Sequence, residues 1–256
     1  PEALNATLRP YQAEGLRWLS ARLDAGFGGV LADEMGLGKS VQLISLLVAR
    51  ADQAREVGPS LIVCPSSLVY NWMAEFERFA PSLNVAAVVG SAAERKVIRG
   101  HAFAPYDANL VSGRQGDAAA SPADAKTASC NVGTNARDAA LRDDHTTATV
   151  ESTDATGHRP APVDVLITSY DLARIDSADY AGRELFICAL DEAQYIKNPA
   201  TLTTRAVKRL SARHRFALTG TPMENRLSEL WSIFDFLMPG LLGPYARFRE
   251  RFELPI

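Results

Sequence analysis

Six short apolar runs constrain this chain more than any other feature. They are Gly29–Ala32, Leu61–Cys64, Val85–Val89, Val165–Ile167, Phe186–Leu190 and Phe216–Leu218. None alternates apolar with polar residues, so each predicts a strand buried on both faces. Between them the apolar period changes to that of a helix. Pro10 opens one such segment, which carries Leu16, Trp18, Leu19 and Leu23. Val41–Ala49 is apolar nearly all round, which predicts a buried helix. Leu68, Trp72, Phe76 and Phe79 give a third, Leu202, Val207 and Leu210 a fourth, and Leu227–Leu237 a fifth. Buried strands alternating with helices define an α/β fold, a parallel sheet covered by helices on both faces.

The 256 residues sit at the upper edge of what one hydrophobic core supports. A formal net charge of −3 excludes a protein that holds nucleic acid by bulk charge. No apolar run approaches the roughly 20 residues that span a bilayer, and no basic-then-apolar leader is visible, so no membrane partner is expected. The odd set Cys64, Cys130 and Cys188 contains no CxxC pair, which argues against a disulfide scaffold or zinc ribbon. One segment differs in composition. Residues 101–162 hold 15 Ala and six of Val, Ile, Leu, Met and Phe together. Such a stretch buries too little apolar surface to offset its ordering entropy, and it reads as a flexible insertion in a loop. It carries Cys130, His145 and His158, whose spacings match no common zinc pattern.

Three motifs carry chemistry, each placed directly after a predicted strand. The first is Asp33-Glu34-Met35-Gly36-Leu37-Gly38-Lys39-Ser40. Strand, glycine-containing loop and helix form the context of a phosphate-binding loop. Gly36 and Gly38 let backbone N–H groups curl around an anion, and the helix N-terminus adds its positive end. Lys39 can neutralise outer phosphates, and the Ser40 hydroxyl can ligate magnesium. The strict pattern has Gly where this chain has Asp33, and a chance Gly-Lys-Ser after a turn is the plain alternative. The second motif is Asp191-Glu192-Ala193-Gln194, at the end of an apolar strand. Carboxylates there project into the crevice where parallel sheets bind ligands. Asp191 can hold the water shell of a magnesium ion, and Glu192 can orient or deprotonate an attacking water. Acids decorating a helix N-terminus are the alternative. The third is Thr219-Gly220-Thr221-Pro222, which by itself is also an ordinary turn.

These motifs, with others in the same order, resemble the first RecA-like lobe of a Swi/Snf-type ATPase of helicase superfamily two. Leu8-Arg9-Pro10-Tyr11-Gln12 is similar to the adenine-reading segment and assigns Gln12 to the base. Asp33 to Ser40 is similar to the phosphate loop, including the aspartate. Cys64 to Leu68 with Asn71-Trp72 resembles motif Ia, and Ile167 to Tyr170 motif Ib. Asp191 to Gln194 with Ile196-Lys197-Asn198 resembles motif II; Gln194 stands where many members have His. Thr219 to Pro222 with Glu224-Asn225 and Leu230-Trp231 resembles motif III.

The resemblance implies a P-loop NTPase sheet that binds ATP and Mg2+ through Gln12, Met35, Gly36, Leu37, Gly38, Lys39, Ser40 and Asp191. Lys39, Asp191 and Glu192 would be catalytic. Gln194, Thr219, Gly220 and Thr221 would couple the nucleotide to DNA. Ser66, Ser67, Thr168, Ser169, Lys197 and Asn198 would face the backbone of double-stranded DNA, along which members translocate while remodelling protein–DNA complexes. It also implies a second RecA-like lobe. Residues 1–256 are expected to be one lobe with no second lobe after Ile256, nearly inactive alone, because arginines supplied from across a cleft are worth roughly 10³–10⁵ in turnover. A strand-separating helicase lobe and a catalytically silent protein-interaction module are the rival readings. A small-molecule P-loop kinase fits worst, since it leaves the segments after Cys64, Ile167 and Thr219 unexplained. Lys208, Arg209, Arg213 and Arg215 form a basic cluster that reads either as a DNA patch or as cations at a helix C-terminus. The Ala/Arg-rich composition leans towards a bacterial cytoplasm, nucleoid-associated, over a nucleus.

Overall fold

The computed structural model describes residues 3–34, 36–104, 162–221 and 226–254. Its centre is a six-stranded sheet formed by β1 (Gly29–Leu31), β2 (Ser60–Cys64), β3 (Val85–Ala87), β4 (Val165–Ser169), β5 (Leu185–Asp191) and β6 (Ala212–Leu218). The strand order is β1-β6-β5-β2-β4-β3, and each pairing is parallel. β2 and β4 are buried along their whole length, as continuous apolar runs require.

The helices are α1 (Pro10–Asp24), α2 (Lys39–Ala49), α3 (Ala51–Val57), α4 (Val69–Phe79), α5 (Ala92–Ala102), α6 (Tyr170–Ile175), α7 (Leu202–Lys208), α8 (Leu227–Leu237) and α9 (Tyr245–Phe248). They cover both faces. One core layer packs α1, α2 and α4 through Leu19, Leu43, Ile44, Trp72 and Phe76 against Ile62, Ile187 and Phe216. The other packs Tyr170, Val207, Ile233 and Phe236 against Leu61, Leu166, Cys188 and Leu190. Successive residues of one strand thus enter opposite layers.

Three expectations need correction or extension. Leu202 does not join the core: it opens α7 in an exposed position, while Val207 and Leu210 are buried. α5 is an eleven-residue helix where no apolar period was visible, and it extends to Ala102, inside the segment read as beginning at residue 101. Its Ser91–Glu94 capping box fixes the start, and it buries Arg95 and Arg99 instead of an aliphatic stripe. Both guanidinium groups bind Asp176, Arg95 from Nε at 2.7 Å. Most of the 101–162 segment, with Cys130, His145 and His158, lies outside the described residues.

Candidate nucleotide-binding site

The register of the sheet brings the chemical motifs to one edge. Leu31 of β1 and Asp191 of β5 both pair with Leu218 of β6, so three adjacent strands end level. The loop of residues 33–38 leaves the first, Asp191–Gln194 the second and Thr219–Thr221 the third. Parallel strands place their carboxyl ends on the same side, and ligands of such sheets bind there.

The loop has the backbone a phosphate cradle requires. Gly36 and Gly38 take φ of 83° and 77°, the left-handed region that side chains avoid. A Cβ on Gly38 would lie 2.5 Å from Gln12 Nε2, so that side chain would also have to move. Gln12 accepts a hydrogen bond from Arg9 N at 2.9 Å and donates to Leu37 O at 3.2 Å, which ties α1 to the loop. Lys39 opens α2 and points its Nζ back at the carbonyls of Asp33 (2.8 Å) and Glu34 (3.1 Å). The Asp33 carboxylate accepts Gln42 Nε2 at 2.9 Å and so anchors the loop to the buried face of α2. Met35 lies outside the described residues, as do Pro222, Glu224 and Asn225.

Asp191 ends β5 beneath this loop. Its Oδ2 accepts the indole N–H of Trp72 at 2.8 Å, and its Oδ1 accepts Glu192 N at 3.0 Å. Burial pushes its carboxyl above the usual range, and the neighbouring Glu192 adds to the rise; Trp72 and Lys39 oppose it. Below it, burial pushes the Cys64 thiol up to about 12, with help from Asp191. Glu192 sits at φ 50°, ψ 54°, the one non-glycine residue at positive φ among those described. Such strain concentrates where a side chain must be held for function.

A short hydrogen-bond chain connects this acid to the third motif. Gln194 Nε2 donates to Glu192 Oε2 at 2.6 Å, and Gln194 Oε1 accepts from Thr219 Oγ1 at 2.9 Å. Thr219, fully buried, in turn accepts from Thr221 N at 3.1 Å. Gly220 lies between the two. The amide of Gln194 donates and accepts at once, which a neutral amide can do.

The residues expected to face DNA divide. Ser66 and Ser67 are exposed in a 3-10 turn that leads into α4. Asn198 is exposed too, with its side chain accepting from Ala200 N at 2.9 Å. The other three lie differently. Thr168 is buried in β4 and donates to Val88 O at 3.2 Å. Ser169 is buried and caps α6 by accepting from Leu172 N. Lys197 is largely enclosed beneath α8, with Nζ 3.7 Å from Glu229. Their hydroxyls and ammonium are therefore committed within the fold. The basic cluster is also committed in part: Lys208 pairs with Asp235, Arg213 with Glu184, and Arg215 donates to the carbonyls of Phe236 and Leu210.

Trp72, which falls in the motif Ia segment and whose helical spacing favours core over a base-stacking platform, is core; its polar edge also holds Asp191. The phenol of Tyr170 donates to the Asp191 carbonyl at 2.8 Å, and Tyr195 stacks on that ring at 4.9 Å. Neither role was legible, since both depend on the ends of β4 and β5, which β2 separates in the sheet, meeting at one edge.

A parallel sheet with a phosphate loop, an acidic pair and a threonine turn at one edge defines a RecA-like P-loop lobe. The chain matches the SNF2-related domain over residues 11–256 and belongs to that family. It is 35% identical over 254 residues to the putative ATP-dependent helicase/translocase YwqA of Bacillus subtilis, covering 99% of this chain and 21% of that one. It is 34% identical to the TATA-binding protein-associated factor MOT1 of Saccharomyces cerevisiae, covering 100% of this chain and 11% of that one. The SWI2/SNF2 ATPase core of Sulfolobus solfataricus, solved in complex with dsDNA, superposes with a TM-score of 0.68 at 31% identity. That match covers 99% of this chain and 40% of the archaeal one. The chain therefore spans a minor part of each relative. Among the described residues no helix is long and apolar enough to cross a membrane.

Proposed function

We propose that this chain is the ATP-binding lobe of a DNA-dependent ATPase that translocates on double-stranded DNA and remodels protein–DNA complexes. One observation carries the reading: phosphate loop, Asp191–Glu192 and Thr219–Thr221 end three adjacent strands at the same level, joined by the Glu192–Gln194–Thr219 hydrogen bonds. In this reading Gln12 reads the base, while the N–H groups of residues 36–40 and the Lys39 ammonium take the phosphates. Lys39 would exchange the Asp33 and Glu34 carbonyls for a stronger, charge-assisted partner. Glu192, fixed by Gln194, orients and deprotonates the attacking water. Phosphoryl transfer asks the protein for this positioning and charge neutralisation.

The residues present fit a magnesium ion. Asp191 is a half-buried carboxylate that burial and Glu192 push up against only a small opposing effect of Lys39, and a carboxylate in that state favours an added cation. Among the described residues no three His, Cys, Asp or Glu side chains form a cage, and magnesium commonly uses one or two protein oxygens plus phosphates and water. Ser40 and Asp191 would hold it, and when bound it would neutralise charge on the phosphates. Ser66, Ser67 and Asn198 remain positioned for DNA phosphates, which fix register without reading sequence. The full turnover is assigned to a two-lobe protein, with the second lobe supplying cations.

The test is Lys39→Ala in the longest protein that contains this chain. ATP-dependent movement or turnover is expected to vanish. Retained turnover would overturn the assignment of the phosphate loop. A duplex with a labelled strand separates translocation from strand separation, because a translocase leaves that strand paired.

A further inference from the structure

The polar face of α4 is unexplained by the site residues above. Trp72 and Glu75 are three apart and so project from the same face, one turn from each other. Both point towards the nucleotide edge. Trp72 reaches Asp191 Oδ2 at 2.8 Å. Glu75 stands within an otherwise apolar stripe of Trp72, Phe76 and Phe79, and its Oε2 is buried without a hydrogen-bond partner. Two groups bear on that carboxylate from other elements: the Ser40 hydroxyl, which favours its charged form, and Asp191, which repels it. A buried acceptor left unpaired destabilises the fold. Packing alone gives no reason to keep a carboxylate here.

Chemistry does give one. A serine hydroxyl that offers a lone pair to a cation must send its hydrogen to another acceptor. Glu75 is the acceptor that faces Ser40. In the same way the Asp191 carboxylate has two oxygens, and the indole N–H of Trp72 fixes which way they point. We propose that Glu75 and Trp72 are positioning residues of the magnesium–nucleotide site, Glu75 orienting the Ser40 hydroxyl and Trp72 the Asp191 carboxylate. The inference rests on the nucleotide reading above and extends it to a helix outside the recognised loop. Such outer partners typically change metal affinity by about 10–100-fold when removed.

The experiment measures binding, not turnover. The 256-residue chain is titrated with a fluorescent, non-hydrolysable ATP analogue, once with magnesium and once with excess chelator. Glu75→Leu keeps the bulk and removes the acceptor; Trp72→Phe keeps an aromatic ring in the core and removes the N–H. Each variant is expected to weaken binding about 10-fold or more with magnesium and to leave chelator binding unchanged. Glu75→Asp, which retains an acceptor, should recover part of the magnesium dependence. Equal magnesium dependence in variants and parent would overturn the proposal. So would a loss that is the same with and without magnesium, since that marks a packing role. A variant that does not fold is replaced by Ser40→Ala with and without the milder Glu75→Ala: the second substitution should then add nothing, and an added loss would overturn the Glu75–Ser40 link. If the unsubstituted chain shows no magnesium-dependent binding, the nucleotide reading itself fails and takes this inference with it.

Discussion

At Glu192 the chain accepts a backbone that glycine would adopt more easily. A left-handed conformation costs an L-residue roughly 1–2 kcal/mol. Glu192→Gly should therefore be more stable than Glu192→Ala by about 1 kcal/mol, although both lose the carboxylate. Denaturant midpoints of the two variants check this, and equal midpoints would show that no strain is held there. His214 offers a second residue-level expectation, through pH. It lies in β6 with its ring edge-on to Phe186 at 5.4 Å, and its Nδ1 is buried without a partner. Burial lowers its pKa from 6.5, and Arg213 and Arg50 lower it further. The folded state thus resists protonation that the unfolded chain accepts. The stability tied to a neutral His214 is present above pH 6.5 and is lost as pH falls through the lower folded value. His214→Phe should flatten the melting temperature over that acid range. An unchanged slope would assign the acid loss to other groups. The sequence marked Glu192 as chemical and left His214 unremarked, because a lone histidine gains meaning only from what packs on it.

At the level of elements, the six strands were readable because each carries a continuous apolar run; in β2, β4 and β5 polar residues enter only at the ends, as Ser60, Thr168-Ser169 and Asp191. β6 shows where that reading stops. Its apolar half, Phe216–Leu218, pairs with both β5 and β1, whereas Ala212–Arg215 extends past β1 and pairs with β5 alone. That open side lets Arg213, His214 and Arg215 stand in a strand. α5 escaped for a related reason: its buried side carries arginines paired with Asp176, a residue 81 positions away from Arg95. The helix pair α1–α2 yields a direct test. A Cβ on Gly15 would fall 1.8 Å from Gln42 Oε1. Gln42 cannot simply swing aside, because it is fully buried and holds Asp33 at the base of the loop. Gly15→Ala gains about 1 kcal/mol in helix propensity. Overpacking costs roughly 1–3 kcal/mol. The net expectation is a lower melting temperature together with weaker nucleotide binding. A variant that is more stable and binds normally would show that the helices can separate without disturbing the loop.

For the whole molecule, the proposed function asks one sheet edge to serve both a nucleotide and a duplex. Exposed Ser66 and Ser67 begin the turn that enters α4, and α4 reaches Asp191 through Trp72. On the other side Ser232 of α8 donates to Ile196 O at 2.6 Å, and Glu229 meets Lys197, so α8 is fastened to the turn after Glu192. Both helices thus give the acidic pair a rigid connection to a surface beyond the nucleotide. With Thr168, Ser169 and Lys197 enclosed in the fold and Lys208, Arg213 and Arg215 engaged internally, few of the groups expected at the DNA face remain available to phosphates. Binding of duplex by this chain alone should be weak, and because it would release few counterions, log K should fall only shallowly with log salt, about 0.9 per phosphate neutralised. A longer protein that closes a second lobe over the same edge should bind more tightly, show a steeper slope and hydrolyse ATP faster when duplex is added. Supplied arginines alone are worth roughly 10³–10⁵ in rate. The comparison of salt slopes and ATPase rates between the two proteins checks both halves of this argument. A steep slope with full DNA-stimulated turnover in the 256-residue chain would mean that the missing cations come from within it or from a second copy, and that the edge described here is already a complete engine.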